Sequence, residues 1–462
     1  MNNHVTAIIL AAGLGTRMKS SKAKVLHQAG GDTLLNHVIR AAQHVAPAEQ
    51  MVAVVGYQAD EVRASVKNPG VRFAVQHEQK GTGHAILCSR ELAGSGHGAV
   101  LILNGDGPLL RPETLRRLVE LQTQKRGGGC VVSTEVGDPT GYGRIVRDAA
   151  GNIAAIVEQK AATSEQLEIR EINTGVYIFD AHLLWKHIDE IQPDNPAREY
   201  YLTDMVEILT KHGHPVTPLL VEDETELLGI NTRVELAVAD KILRDRKNLA
   251  LMLSGVTIEN PSTVSIDADV AIGQDTVIEA GVQLRGRTSI GSNSRVGAGS
   301  ILRDCEVAEN VEIYPYVVAQ DTRIAGGAHV GPFARLRQRA EVAEQVHLGN
   351  FVELKNTKMA AGAKANHLAY LGDSIIGSRV NVGAGTITCN YDGVHKHQTK
   401  IGDGVFVGSN STLVAPLCVG SGSYIAAGSV ITDDVEQDAL AIGRERQIAK
   451  PGWAKKRRDQ QK

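Results

Sequence analysis

A chain of 462 residues is long enough for two or three domains whose cores need no disulfide staples. With 22% charged and 42% hydrophobic residues it lies outside both the disordered and the membrane-spanning classes. A formal net charge of −3 supplies no general field for holding a nucleic-acid backbone. The composition predicts neither a nucleic-acid nor a membrane partner. Forty-eight glycines stand against 17 aromatic residues (Phe 5, Trp 2, Tyr 10), so the chain turns often and fills its core with small side chains. Cys88, Cys130, Cys305, Cys389 and Cys418 are odd in number, scattered, and never spaced C-x-x-C, which predicts reduced thiols in a cytoplasmic protein.

Apolar runs at 5–10, 51–55, 71–75 and 99–103 read as strands, with helical patterns at 33–45 and 113–124 among them. No Lys or Arg precedes the first run, and it ends in a glycine loop, so it reads as a buried strand rather than a secretory signal. Strand, helix and strand in repetition predict an α/β Rossmann-like domain over 1–231, mainly parallel, with helices on both faces and ligands at the carboxyl ends of its strands. Residues 232–254 contain a helix with Val234, Ala237, Val238, Ile242, Leu243, Leu249 and Leu253 at helical spacings. It reads equally as a linker and as the last helix of the first domain.

Beyond it, over 255–462, the period becomes six. Ile266, Ile272, Ile278, Leu284, Ile290, Val296 and Leu302 form one run; Val318, Ile324, Val330, Leu336, Val342, Leu348 and Leu354 a second; Ile401, Val407, Leu413, Val419, Ile425 and Ile431 a third. Such hexapeptide repeats predict a parallel β-helix with coils of about 18 residues, the aliphatic pointing into a narrow prism. The prism is too narrow for aromatic rings. Residues two before the aliphatic are small or β-branched (Val264, Val270, Thr276, Val282, Thr288, Ser294, Ser300), and glycine often follows it, which we expect to help turn the corners. About nine or ten coils at roughly 4.8 Å each give a rod on the order of 45 Å. Register slips at 303–317 and 355–375 predict loops thrown out of the coil, where function tends to lie.

The first strand leads into L-A-A-G-L-G-T-R-M from Leu10 to Met18, then K-V-L-H from Lys24 to His27. A glycine loop between strand and helix lets backbone N–H groups approach phosphate, and Arg17 and Lys24 add positive charge. Neither the dinucleotide fingerprint nor the Walker pattern fits, because position 18 is Met and no G-K pair closes the loop. Q-K-G-T-G-H-A starts at Gln79, and N-G-D-G-P-L at Asn104 closes the fourth strand. Asp106 thus stands where a carboxylate could hold Mg²⁺ against substrate phosphates, although a lone aspartate at a strand end is as often a turn or cap residue.

With G-Y-G-R-I at 141, V-E-Q-K at 157, E-I-N-T-G at 171 and G-I-N at 229, the first half resembles the sugar-phosphate nucleotidyltransferases. The second half interrupts its repeat with G-P-F-A-R-L-R at 331, V-E-L-K at 352, N-H-L-A-Y-L-G-D at 366 and V-N-V-G-A-G-T-I-T-C-N-Y-D-G at 380. Together and in this order, the two halves resemble the bifunctional N-acetylglucosamine-1-phosphate uridylyltransferase and glucosamine-1-phosphate N-acetyltransferase family over nearly the whole chain. The resemblance makes the β-helix left-handed. It implies that UTP and the UDP-sugar are held by Leu10, Ala11, Gly13, Gly15, Arg17, Lys24, Gln76, Gly81, Thr82, Gly143, Glu158, Asn173 and Asn231, with Mg²⁺ on Asp106 and Asn231. It further implies His367 as general base, Arg335, Lys355, Tyr370 and Asn381 around the sugar phosphate, and Ala384, Asn390, Tyr391, Ser409, Ala427 and Arg444 along acetyl-CoA. Leu14, Ala23, Asn104 and Asn366 depart from the family's usual Lys, Pro, Tyr and Gly.

The expected activity is acetylation of glucosamine-1-phosphate by acetyl-CoA, then uridylyl transfer from UTP to N-acetylglucosamine-1-phosphate with release of pyrophosphate, in a homotrimer. Two rivals share these folds: a nucleotidyltransferase of ADP-glucose or GDP-mannose type with a regulatory β-helix, and a non-catalytic scaffold subunit. Arg17, Lys24 and Asp106 weigh against the scaffold, and His367 with Lys355 against the single activity. His395 and His397 read as ordinary loop residues, and the basic run at 455–458 as a solvated terminus.

Overall fold

The structure, a computed structural model, describes residues 4–94 and 96–460. The chain forms two compact units that divide between Leu243 and Arg244. Among the described residues no helix is long and apolar enough to cross a membrane.

The first unit is built on a nine-stranded sheet. Its strands are β1 (Val5–Ala11), β2 (Met51–Val55), β3 (Arg72–Val75), β4 (Ala99–Asn104), β5 (Gly129–Glu135), β6 (Arg144–Arg147), β7 (Ile153–Val157), β8 (Glu171–Asp180) and β9 (Val216–Leu220). They lie in the order β3-β2-β1-β4-β8-β5-β9-β7-β6. Side chains alternate across the sheet: Val5, Ala7, Ile9 and Ala11 enter one core with Leu101 and Leu103, while Ile8 enters the other with Val100 and Ile102. Helices α1 (Leu34–Ala42) and α3 (Pro112–Lys125) cover the first face; α2 (Thr82–Ala93), α4 (Ala181–His187) and α5 (Asp204–Lys211) cover the second. The parallel expectation holds from β1 to β4. The other half is mixed, because β8 runs antiparallel to β4, β5 and β6, and β7 antiparallel to β6 and β9.

Helix α6 (Arg233–Leu253) contains the division between the units. In the first unit Leu236, Ala239, Ile242 and Leu243 pack on Ala29, Leu34, Leu109 and Ile230. In the second, Leu251 and Met252 join the β-helix core, and Arg244 Nη1 meets Asp267 Oδ1 at 2.9 Å. The apolar stripe read from the sequence is corrected here: Val234, Val238, Leu249 and Leu253 are all exposed.

The second unit is a left-handed parallel β-helix whose described residues form three parallel sheets of 11, 10 and 9 short strands. Ile266, Leu284, Leu302, Ala319, Leu336, Leu354 and Leu371 stack coil on coil into the prism and are buried. Ala319 occupies the place expected for Val318, which faces outward at 44% exposure. The small residues two before each aliphatic are buried as well, and their hydroxyls bond the backbone: Thr276 Oγ1 donates to Gly291 O at 2.7 Å and Thr288 Oγ1 to Arg285 O at 2.7 Å. These two hydroxyls are thereby satisfied inside the coil. The rings of Tyr316, Phe333 and Phe351 stack outside the prism, with centroids 5.2 and 5.3 Å apart.

Two expectations about the coils need correction. The slips at 303–317 and 355–375 throw out no loops, because the coil closes with one residue fewer: Ser289 pairs with Glu306 and Lys358 with Ile375, seventeen positions on, where Ile266 pairs with Leu284, eighteen on. The true excursion lies at 390–398, where Ser374 pairs with Thr399, twenty-five positions on. Glycine after the aliphatic also serves another purpose than turning. At Gly273 a Cβ would sit 2.5 Å from Ser292 N, and at Gly408 2.4 Å from Ala427 N, so glycine there admits the backbone of the next coil.

Candidate active site

Parallel strands β1 and β4 lie side by side, with Leu10 opposite Asn104, and their crossovers lead to opposite edges of the sheet. That is the switch point at which open α/β sheets form a ligand crevice. A cavity of about 360 Å³ opens there, lined by Leu10, Ala11, Gly13, Lys24, Gln76, Gly81, Thr82, Asp106 and Glu158. A second, of about 260 Å³, shares Leu10, Thr82, Asp106 and Glu158 and adds Arg17, Gly143, Asn173 and Asn231. Gly15 lines neither; its φ of +64° and close approach to Lys24, whose Cβ would lie 2.6 Å from an added one, let the loop pass that lysine.

The polar groups converge on one point. Lys24 Nζ pairs with Asp106 Oδ2 and donates to Asn231 Oδ1 at 3.2 Å; Arg17 Nη2 donates to the same Oδ1 at 2.8 Å. Glu235 fixes Asn231 by accepting its backbone N–H at 2.5 Å. An acidic oxygen and an amide oxygen thus already share one cation. Deeper in, Gln76 is buried and donates from Nε2 to Gly81 O at 3.1 Å. Gly81 has φ +102°, and an added Cβ would lie 2.6 Å from Tyr200 O. Thr82 Oγ1 accepts the N–H of Leu202 at 3.0 Å. On the far wall Asn173 donates its N–H to Gly143 O at 2.8 Å, and its Nδ2 donates to Tyr177 OH at 2.7 Å. Burial, then the neighbouring carboxylates of Asp204 and Glu199, push Glu158 above the usual carboxylate range.

Two departures acquire reasons. The N–H of Ala23 donates to Gln58 Oε1 at 2.7 Å, a bond that proline would lose. Asn104 fits because residue 175 is glycine with φ +78°, where an added Cβ would lie 2.1 Å from Asn104 Nδ2. Leu14 is half exposed and touches neither cavity.

In the β-helix, Arg335, Glu353 and Tyr370 occupy matching positions on successive rungs of one sheet, and Arg337, Lys355 and Gly372 the next column. Lys355 is buried and its Nζ lies 3.3 Å from Asp373 Oδ2. Asp373 also accepts from Asn356 Nδ2 at 2.6 Å and from Asn390 Nδ2. Burial opposes its charge, but these three donors hold its carboxyl below the usual range. Lys396 is brought beside Lys355 by the 390–398 loop, and the neighbouring ammonium lowers its pKa. Within that loop Asp392 is depressed to about 2 by the N–H of His395, by His397 and by the N–H of Val394. His397, expected to be an ordinary loop residue, thus helps tie the loop that carries Lys396.

His367 lies on the adjacent face, paired across the rungs with Asn350, and its Nδ1 is 2.8 Å from Asn350 Oδ1. Asn381 pairs with Lys364 on that same sheet. Asn366 passes over Gly349, where an added Cβ would lie 1.9 Å from Asn366 O. Ala384, Ser409 and Ala427 mark one corner on successive coils: the N–H of Asn410 donates to Ala384 O at 2.7 Å and that of Gly428 to Ser409 O at 2.8 Å. Arg444 Cδ lies 3.7 Å from the Cβ position of Gly428, at the end of this column. Tyr391 stands at the start of the loop, its OH donating to Gly393 O at 2.6 Å.

Sequence reasoning overlooked Arg337, Asn356, Asp373 and Lys396. Arg337 was within reach, since in a strand it shares the face of Arg335 and pairs with Lys355 on the next rung. Lys396 carried no signal, for only the folded loop brings it to Lys355.

Residues 7–171 match the MobA-like NTP transferase domain, and residues 269–304 and 398–433 the bacterial transferase hexapeptide repeats. Over its full length the chain is similar to proteins named bifunctional protein GlmU. That of Solibacter usitatus is 55% identical, covering 99% of this chain and 98% of the relative. Those of Koribacter versatilis and Trichlorobacter lovleyi are each 47% identical, covering 100% and 98% of this chain and 99% and 98% of the relatives. With a nucleotidyltransferase-type unit and a hexapeptide β-helix in the same order, the chain belongs to the bifunctional GlmU family.

Proposed function

We propose that the chain makes UDP-N-acetylglucosamine in two steps at two sites. It is a bifunctional transferase, an N-acetyltransferase and a nucleotidyltransferase in one polypeptide. What carries the reading is that each unit has its own complete polar constellation: Lys24, Arg17, Asp106 and Asn231 in the first, and His367 with the Lys355 cluster in the second.

In the acetyl-transfer step Asn350 Oδ1 accepts the Nδ1–H of His367, which leaves Nε2 as the basic nitrogen. Nε2 takes a proton from the ammonium of glucosamine-1-phosphate, and the freed amine attacks the thioester carbonyl of acetyl-CoA; the C–S bond then breaks and CoA leaves as its thiol, taking up the proton that the new amide nitrogen loses. Lys355, Tyr370, Arg335 and Asn381 hold the sugar phosphate, while the corner column from Ala384 through Ser409 and Ala427 to Arg444, with Asn390 and Tyr391, follows the coenzyme. The backbone N–H of Ala384 stabilises the developing oxyanion.

In the uridylyl step the phosphate of N-acetylglucosamine-1-phosphate attacks the α-phosphorus of UTP in line and pyrophosphate leaves. Gln76, Gly81 and Thr82 flank the uracil, Arg17 and Lys24 hold the triphosphate, and Gly143, Glu158 and Asn173 lie against the sugar. The oxygen donors of Asp106 and Asn231 suit a hard cation, and the ammonium of Lys24 already bridges them. Those two residues would hold Mg²⁺, which would supply neutralisation of phosphate charge.

The half-exposed ladder of Tyr316, Phe333 and Phe351 supports a homotrimer in which other copies cover the β-helix. The mass of the native protein in solution tests it. A cytoplasmic address is supported by five free cysteines. The two-site account is tested by assaying His367→Ala and Asp106→Ala separately for CoA and pyrophosphate release. Each should lose one activity and keep the other. Loss of both in a folded variant, or CoA release untouched by His367→Ala, overturns it.

A further inference from the structure

Outside both constellations, two helix ends in the first unit bring together three residues with nitrogen and oxygen donors. His187 is the last residue of α4, Glu190 ends the short turn that follows it (Ile188–Glu190), and His212 caps the carboxyl end of α5. His187 Nδ1 lies 2.6 Å from Glu190 Oε1, and His212 Nε2 lies 3.0 Å from Glu190 Oε2. One ligand atom from each residue falls within 4.8 Å of the others, the only such group of His, Cys, Asp and Glu among the described residues. The two imidazole centroids are 4.2 Å apart, and His214 adds a third ring 6.5 Å from His187. None of the four lines either cavity of the nucleotide crevice.

We propose that His187, Glu190 and His212 form a binding site for a divalent transition metal of the zinc class. Two imidazoles and one carboxylate are the protein donors of three-ligand zinc sites, the fourth place being left to water. Nitrogen donors disfavour Mg²⁺, so this site does not compete for the ion of the nucleotide crevice. Bonds of about 2.0–2.1 Å in a tetrahedral arrangement require donors roughly 3.3 Å apart, within the spread observed. The anchor is His187, whose side chain is only 4% exposed, while Glu190 and His212, at 46% and 44%, are free to make the remaining adjustment.

The surroundings favour a cation twice over. Both histidines stand at carboxyl ends of helices, where backbone carbonyls present partial negative charge. Glu190 places a carboxylate between the two rings. With Nδ1 on the ion, the proton of the His187 ring would sit on Nε2, which is buried and has no hydrogen-bond partner, a cost that binding has to exceed. The bound ion would clamp α4 to α5, a staple for the fold rather than a participant in transfer.

The test uses the full-length protein, stripped with chelator and held in excess Mg²⁺, titrated with Zn²⁺ by calorimetry and with Co²⁺ by visible absorption. The wild type should bind one equivalent of Zn²⁺ that raises its melting temperature, and Co²⁺ should give the intense band of a four-coordinate site. Glu190→Gln and His212→Gln, both at half-exposed positions, should weaken binding by at least about tenfold and abolish the band, with pyrophosphate release unchanged. Equal Zn²⁺ affinity in wild type and both variants, or only the weak absorption of octahedral Co²⁺, overturns the site and leaves a hydrogen-bonded bridge between two helix ends.

Discussion

Asn350 Oδ1 stands 2.8 Å from His367 Nδ1, one rung below it on the same face of the β-helix. An amide oxygen only accepts, so the proton of the neutral imidazole is fixed on Nδ1 and the basic lone pair on Nε2. In the proposed acetyl transfer Asn350 is therefore a positioning residue. We predict that His367→Ala lowers CoA release by about 10²-fold or more. Asn350→Ala should cost less, in kcat rather than KM, and alter the pH profile of kcat. An unchanged profile with only a lower melting temperature would reduce Asn350 to a structural role.

The Lys24 and Asp106 ion pair predicts a loss confined to the first unit. Asp106→Asn removes the anionic oxygen and should depress pyrophosphate release about a hundredfold or more, beyond rescue by added Mg²⁺. Acetyl transfer, measured as CoA release, should stay within about twofold of wild type, since His367 and the Lys355 cluster belong to the other unit.

Gly81→Ala places a Cβ against the carbonyl of Tyr200 at a residue with φ +102°. Backbone strain of this kind costs about 1–3 kcal/mol. The expected result is a lower melting temperature with a raised KM for UTP, because Gly81 also receives the Gln76 side chain. A variant with wild-type KM would detach this turn from nucleotide binding.

Burial, then the charge of Glu207, pushes Asp204 up to about 6 from its ordinary 3.8. A carboxyl whose pKa is higher in the folded than in the unfolded state favours folding most below the unfolded value. That contribution falls as pH climbs from about 4 to about 6 and is level above. The stability of Asp204→Asn relative to wild type should therefore improve over this window and plateau beyond it. Denaturant midpoints at several pH values measure the difference, and a gap that does not change with pH would refute it.

The corrected register of the second run is open to the same kind of test. Ala319 points into the prism, so Ala319→Leu should destabilise by about 1–3 kcal/mol through overpacking. Leu336→Ala, one coil on, should cost about 2–5 kcal/mol through the cavity it leaves. If Val318 were the inward residue, Ala319→Leu would be nearly neutral.

These cases mark where the sequence was legible. The strands of the crevice announced themselves as apolar runs beside glycine loops, and the β-helix as a six-residue period, because both signals are local. The period failed where a coil shortened: losing one corner residue leaves spacing that still looks hexameric from Val318 onward while moving the inward place to Ala319. The mixed half of the sheet was hidden for a related reason, since strand direction depends on which neighbour pairs. Asp373 illustrates the limit at the site. Its donors are Lys355 and Asn356 from the coil before and Asn390 from the coil after, and no linear motif records that meeting.

The excursion at 390–398 returns the chain to an unchanged register, with Ser374 meeting Thr399 and Asn381 meeting Phe406. A stack in which each coil touches only its neighbours does not propagate such an insertion along its length. The scaffold is accordingly modular: a lysine can be delivered, lengthened in reach or replaced by editing one loop, while the coils above and below keep their pairing. Substrate preference in this unit can thus diverge between relatives with no redesign of the core.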